Sequence, residues 1–201
     1  MLDSKYQRFY DEIVKKIKKE KIFTDKLHTL AYGTDASFYR LIPKIVIKTD
    51  NAKEVQDIIE LSNSLNLSIT FRAGGTSLSG QAISDSILVI TSRNFSNFKI
   101  APDASYISLQ PALTGAQVNG LLARYSKKIG PDPASINAAM IGGIAANNAS
   151  GMCCGISQNS YKTLKSMKLI FADGAKLDTG CSESKDAFRK AFHKIQKTTN
   201  L

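Results

Sequence analysis

Residues 72–81 read Arg-Ala-Gly-Gly-Thr-Ser-Leu-Ser-Gly-Gln and follow at once on Leu67–Phe71, whose composition predicts a β-strand. A glycine-rich turn at the end of a strand limits what a chain can build there. Glycines let the backbone take positive φ and approach a ligand closely, so that successive N–H groups can converge on an anion. A tight turn packed on its own sheet is the plainer reading. The hydroxyls of Thr76, Ser77 and Ser79 and the charge of Arg72 favour an anion, with phosphate first.

Spacing narrows the kind of phosphate. Gly75 and Gly80 are separated by four residues, as in a triphosphate loop, but Gln81-Ala82 stands where that loop needs Lys followed by Ser or Thr. The spacing G-x-G-x-x-G is missing too, because Gly74-Gly75-Thr76 breaks its first step. One arginine beside many backbone donors suits a diphosphate without a bound metal, and a dinucleotide such as FAD fits. A second segment, Ile141 to Gly151, has almost no bulky side chains. It reads either as a short helix packed closely on a neighbour or as room for a flat ring, with Asn147, Asn148 and Ser150 supplying neutral hydrogen bonds.

Around these motifs the periodicities predict a helix over 4–20, an ordered entry loop over 26–43, a strand at 44–48 and a helix over 52–65 capped by Asp50. Further strands are expected at 87–91, 98–101, 105–110, 164–172 and 175–178, the last pair joined by the Asp173-Gly174 turn. Thr114 and Gln117 have the spacing of a capping box for a helix to about residue 126, and the last 17 or so residues repeat a helical signal.

The net charge of +10 invites a nucleic-acid reading. Its distribution argues otherwise: residues 29–161 carry only +2, and the basic ends lack the interleaved aromatics of a base-stacking surface. The apolar run Ala138–Ala146 is far short of the roughly 18 residues of a membrane span, and the N-terminus has no continuous apolar block. Cys153, Cys154 and Cys181 offer neither a paired framework nor the spacing of a zinc site, so a reduced, cytoplasmic chain, at most peripheral at the inner face of a membrane, is expected.

Taken together, RAGGTSLSGQ at 72–81, GPDPAS at 130–135, IGGIAANNASGM at 141–152, YGTDASFYRLIPKIVIKTDNAKEV at 32–55 and FADG at 171–174 resemble the FAD-binding domain of the vanillyl-alcohol oxidase and p-cresol methylhydroxylase superfamily, with D-lactate dehydrogenase and glycolate oxidase members nearest. The resemblance implies an α+β fold, a two-subdomain FAD-binding domain spanning 30–201 after a helix and lead-in at 1–29. It implies that Arg72, Gly74, Gly75, Thr76, Ser77, Gly80 and Gln81 hold the pyrophosphate, that Pro133, Ser135, Ile141, Gly142, Gly143, Asn147 and Ser150 line the flavin and ribityl chain, and that Pro43 sits near the adenine. Thr76 stands where some relatives tether FAD through a His, so the cofactor is expected to be non-covalent.

The resemblance to its D-lactate dehydrogenase and glycolate oxidase members implies oxidation of a 2-hydroxy acid such as D-lactate or glycolate by hydride transfer to flavin N5, with the electrons passed to an acceptor that this sequence does not identify. A cap domain supplies the substrate arginine and the base. Neither His28 nor His193 fits that role, and both read as surface or packing residues, so the chain is expected to be the N-terminal part of a longer enzyme. No catalytic residue and no metal ligand is assigned, and Cys153-Cys154 reads as two buried thiols. A flavin-binding module with no reaction of its own, or the FAD subunit of a molybdenum hydroxylase or cell-wall precursor reductase, is the alternative.

Overall fold

A computed structural model describes the backbone of residues 2–199 and the side chains of residues 2–191. The chain divides into two compact units, Met1–Thr163 and Leu164–Leu201.

In the first unit, α1 (Ser4–Ile13) carries its apolar residues at three- and four-residue steps and is capped by the Asp3 carboxylate, which accepts from Lys5 N–H. The expected helix to residue 20 stops early. Lys15 and Lys16 N–H bond three residues back, tightening the last turn, but Ile17 still reaches the core. A 3₁₀ turn (Lys19–Lys21) leads into β1 (Ile22–Phe23), and the loop expected over 26–43 begins instead with α2 (Lys26–Ala31), capped by Asp25.

β2 (Ile45–Thr49), α3 (Ala52–Leu65), β3 (Ile69–Arg72) and β4 (Ile87–Thr91) follow. The sheet order is β1-β2-β4-β3, with β2, β4 and β3 parallel and β1 antiparallel. β4 is therefore inserted between the two strands of the strand–helix–strand unit. Alternation divides the sheet cleanly. Ile45, Ile47, Ile87 and Val89 meet Phe9, Ile13, Ile17 and Ile58 on one face, while Val46, Leu88 and Ile90 meet Phe23 and Tyr32 on the other. α1 thus shares the core of the sheet. The cap of α3 is Asn51, not Asp50: Asn51 accepts from Glu54 N–H at 3.0 Å, and Asn66 closes the helix at φ 52°.

The hairpin β5 (Phe98–Ile100) and β6 (Ile107–Leu109) precedes α4 (Gly115–Ala123). The Thr114/Gln117 capping box forms as expected, and α4 packs Val118 and Leu122 over the hairpin. α5 (Ile141–Ala146) and α6 (Ser160–Thr163) complete this unit.

The second unit contains the hairpin β7 (Lys168–Ile170) and β8 (Lys176–Asp178), then α7 (Ser182–Thr199). The first strand is shorter than expected because its ladder with β8 runs only from Lys168 opposite Asp178 to Ile170 opposite Lys176; just beyond it Thr179 N–H donates to the Met167 carbonyl at 2.9 Å. Phe188 of α7 stacks on Phe171 at 5.0 Å. Among the described residues no helix is long and apolar enough to cross a membrane.

Candidate functional site

The glycine loop leaves the carboxyl end of β3 and turns at Gly75, φ +66°, and again at Gly80, φ +71°. Those values favour glycine. The loop is poor in internal hydrogen bonds: none of the backbone N–H groups from Gly74 to Leu78 donates to a protein acceptor among the described residues. A run of unpaired amides around a positive-φ glycine is geometrically able to receive an anion.

The polar side chains of the loop are used differently. Ser77 Oγ donates to Gln81 Oε1 at 2.5 Å and accepts from Ser79 N–H at 3.2 Å, so Ser77 and Gln81 close the loop on itself. Arg72 Nη1 donates to the Thr34 carbonyl at 2.6 Å and, more weakly, to that of Tyr32 at 3.4 Å. A Cβ at Gly75 would lie 2.7 Å from Arg72 Nε and Nη2, so the guanidinium lies directly against Gly75. Its charge supports the cradle while part of its donor capacity is spent inside the protein.

The three motif segments converge. A Cβ on Gly74 would run into the Ala138 carbonyl oxygen, so the loop backbone rests on the turn that Ser135 organises by accepting from Ala138 and Ala139 N–H at 2.8 and 2.7 Å. Ile141 and Gly142 N–H bond the Leu113 and Pro111 carbonyls at 2.8 and 3.0 Å, fixing the start of α5. Gly142 faces Pro111, where a Cβ would sit 2.7 Å from the proline Cβ, whereas one on Gly143 would meet only Ala73 Cβ at 3.7 Å. Gly142 is thus required by packing. Gly143 leaves open space beside the loop.

The second segment is a short closely packed helix with an open side at Gly143. Asn147 and Ser150 are exposed, and no hydrogen bond holds either side chain among the described residues. Asn148 is structural: at φ 46° it accepts from Tyr161 N–H at 3.0 Å. Asp132 of the Gly130–Ser135 stretch accepts from Cys153 and Cys154 N–H, each at 3.2 Å, and the Cys154 bonds foremost hold its carboxyl below the ordinary range. Ser160 Oγ ties the end of α5 by donating toward the Ile144 and Ala149 carbonyls. Sequence spacing pointed to neither Asp132 nor Ser160 as an organiser.

Pro43 is fully buried ahead of β2. Cys154 is buried but Cys153 is exposed, so the pair is not two buried thiols. His28 stacks on Phe23 at 4.4 Å and its Nδ1 pairs with Asp25 at 2.8 Å, remote in role from the loop, while the side chain of His193 lies outside the described residues. Two open clefts of about 500 and 340 Å³, both bordered by Arg93, contain none of the sequence-predicted site residues. Among the described residues no cluster of His, Cys, Asp and Glu could hold a metal.

Comparison with known proteins agrees with this geometry. A family model described as FAD binding domain matches residues 43–180. D-2-hydroxyglutarate dehydrogenase of Haemophilus influenzae is 26% identical over 172 residues, which cover 82% of this chain and 16% of that protein. Glycolate oxidase subunit GlcD of Escherichia coli is 28% identical over 161 residues, 77% of this chain and 32% of that protein, and D-lactate dehydrogenase of Archaeoglobus fulgidus is 26% identical over 141 residues, 68% and 31%. The chain thus spans a third or less of the length of these relatives. Among solved structures, p-cresol methylhydroxylase superposes with a TM-score of 0.74 at 13% identity over 92% of this chain and 38% of that one. An alkyldihydroxyacetonephosphate synthase gives 0.75 at 18%, over 90% and 38%. These likenesses establish an α+β fold of the p-cresol methylhydroxylase type. The glycine loop, the turn beneath it and the matching family model together place the chain in the FAD-binding domain family, with FAD as its cofactor.

Proposed function

We propose that the chain is the FAD-binding part of an oxidoreductase acting on a 2-hydroxy acid, and that FAD is held without a covalent bond. The unpaired amides from Gly74 to Leu78 carry this reading. They offer the donors that a diphosphate needs, beside a cation that neutralises part of its charge. The open side of Gly143 with Asn147, Ser150, Pro133, Ser135 and Ile141 provides an apolar and neutral lining for the flavin end. When bound, the flavin supplies a two-electron acceptor for the hydride from the substrate α-carbon.

The residues of this chain bind and orient. Among the described residues His28 is committed to Asp25 and Phe23 and is not offered to the hydroxyl proton. The base, the substrate arginine and the electron acceptor are therefore assigned to a cap domain and partner outside these 201 residues, with residues 30–201 as the cofactor domain. The dehydrogenase and oxidase names of the relatives favour D-2-hydroxyglutarate, glycolate or D-lactate as the substrate class.

Titration of the purified chain with FAD should quench flavin fluorescence to saturation. Acid precipitation of the complex should release all the yellow flavin into the supernatant, because Thr76 lacks the imidazole through which a His at this position would tether it. Flavin retained on the pellet contradicts the non-covalent assignment. Absence of any binding by a chain shown to be folded contradicts the cofactor site.

A further inference from the structure

We propose that Asp35 is a positioning residue for the cofactor loop, and that residues 32–39 form a brace holding the Gly74–Leu78 amides ready before any ligand arrives. This rests on the reading of the loop given above. The brace grips the loop at its start, its turn and its end. At the start, Arg72 Nη1 donates to the carbonyls of Thr34 and Tyr32. At the turn, Ala36 N–H donates to the Gly75 carbonyl at 3.0 Å. At the end, the Asp35 carboxylate spans two segments: Oδ1 accepts from Ser37 N–H at 2.8 Å and Oδ2 from Ala82 N–H at 3.3 Å, one residue past the loop. The Tyr39 ring closes on Gly80, 3.0 Å from where a Cβ would stand.

The brace is itself ordered. Thr34 and Arg40 form an antiparallel bridge, Leu41 N–H donates to the Gly33 carbonyl at 3.1 Å, and Ser37 Oγ accepts from Tyr39 N–H at 3.2 Å. Burial of Asp35 opposes ionisation, but the bonds from Ser37 and Ala82 and the Arg72 charge outweigh it and leave the carboxyl below its ordinary range. Both oxygens are thus available as acceptors. A loop lacking its own ladder must be ordered at folding or at binding, and each residue fixed at binding subtracts from affinity. Asp35 moves that cost to folding.

The sign of the effect separates positioning from direct contact. A carboxylate facing a diphosphate repels it, so removing Asp35 would tighten binding if it lay in the ligand's field. Removing a brace loosens it. The test is an FAD titration of the full chain, wild type, Asp35→Ala, Asp35→Asn and Gly75→Asp, at low and high salt, with circular dichroism to verify folding. Asp35→Ala should weaken binding by about tenfold to a hundredfold, equally at both salts, and Asp35→Asn, which keeps one acceptor oxygen, should restore part of the loss. Gly75→Asp should abolish binding. Wild-type or tighter affinity in Asp35→Ala, with Gly75→Asp inactive, overturns the brace alone. Wild-type affinity in Gly75→Asp overturns the loop reading and the brace with it. Should Asp35→Ala not fold, wild-type affinity in Asp35→Asn overturns the brace.

Discussion

At the scale of single residues, two neighbouring glycines separate packing from ligand space. Gly142 lies against Pro111 with no room for a methyl group, whereas Gly143 has only Ala73 at ordinary contact distance. Alanine is favoured over glycine inside a helix by roughly 1 kcal/mol. Gly143→Ala should therefore raise the denaturation midpoint of the free chain while weakening FAD binding, and Gly142→Ala should lower the stability by on the order of 1–3 kcal/mol through overpacking. Urea titration with and without FAD checks both. A Gly143→Ala chain that binds FAD as tightly as the wild type would remove this position from the flavin surface. Both glycines were visible in the sequence, but the difference between them was not, because Pro111 and Ala73 are remote in sequence. The same holds for Arg72. Its charge was legible beside the glycines, while its acceptor Thr34 lies 38 positions away and could not be read from spacing.

At the scale of elements, an ion network joins three connections of the first sheet. Lys21 Nζ bonds Asp50 at 2.8 Å and Glu54 at 2.6 Å, and Ser92 Oγ donates to the other oxygen of Asp50. This explains why Asp50 does not cap α3: its carboxylate is taken, and Asn51 serves instead. Burial raises the Asp50 carboxyl, but the bonds from Lys21 and Ser92 outweigh it, and a similar balance with Lys53 and Lys16 lowers Asp57. A carboxyl depressed in the folded state contributes stability above its unfolded value near pH ~4, and that contribution is lost as pH falls through the lower folded value. Lys21 is raised, since its bonds to Asp50 and Glu54 outweigh burial, so its share is lost only as pH rises through its folded value, beyond the ordinary lysine range. Stability should be flat across neutral pH and decline in acid, with a shallower decline in Asp50→Asn. Denaturant midpoints measured across this range test it, and an unchanged acid slope in the variant would exclude Asp50 as a source. Long periodic elements such as α3 and the capping box of α4 were legible because their signals are local. The six-residue α2 was not, for it is too short to show a period, although Asp25 before it is a cap signal.

At the scale of the whole molecule, the sequence motifs and the fold agree on one surface. Loop 72–81, the turn at 133–139 and the start of α5 belong to different elements of the Met1–Thr163 unit, and contacts of Gly74 and Gly143 join them. The family and cofactor were readable because glycine spacing is a local record of backbone geometry. The brace, the buried Pro43 and the exposed Cys153 depend on tertiary contacts that no local spacing encodes. The central claim is that unpaired amides of the loop receive the diphosphate of FAD. Amide proton and nitrogen chemical shifts of the chain, followed during titration with FAD and separately with ADP, test this directly. The amide protons of residues 74–78 should move downfield with both ligands as they bond phosphate oxygen, while those of the β5–β6 turn stay in place. Saturating FAD that leaves residues 74–78 unmoved, with shifts elsewhere, would contradict the account.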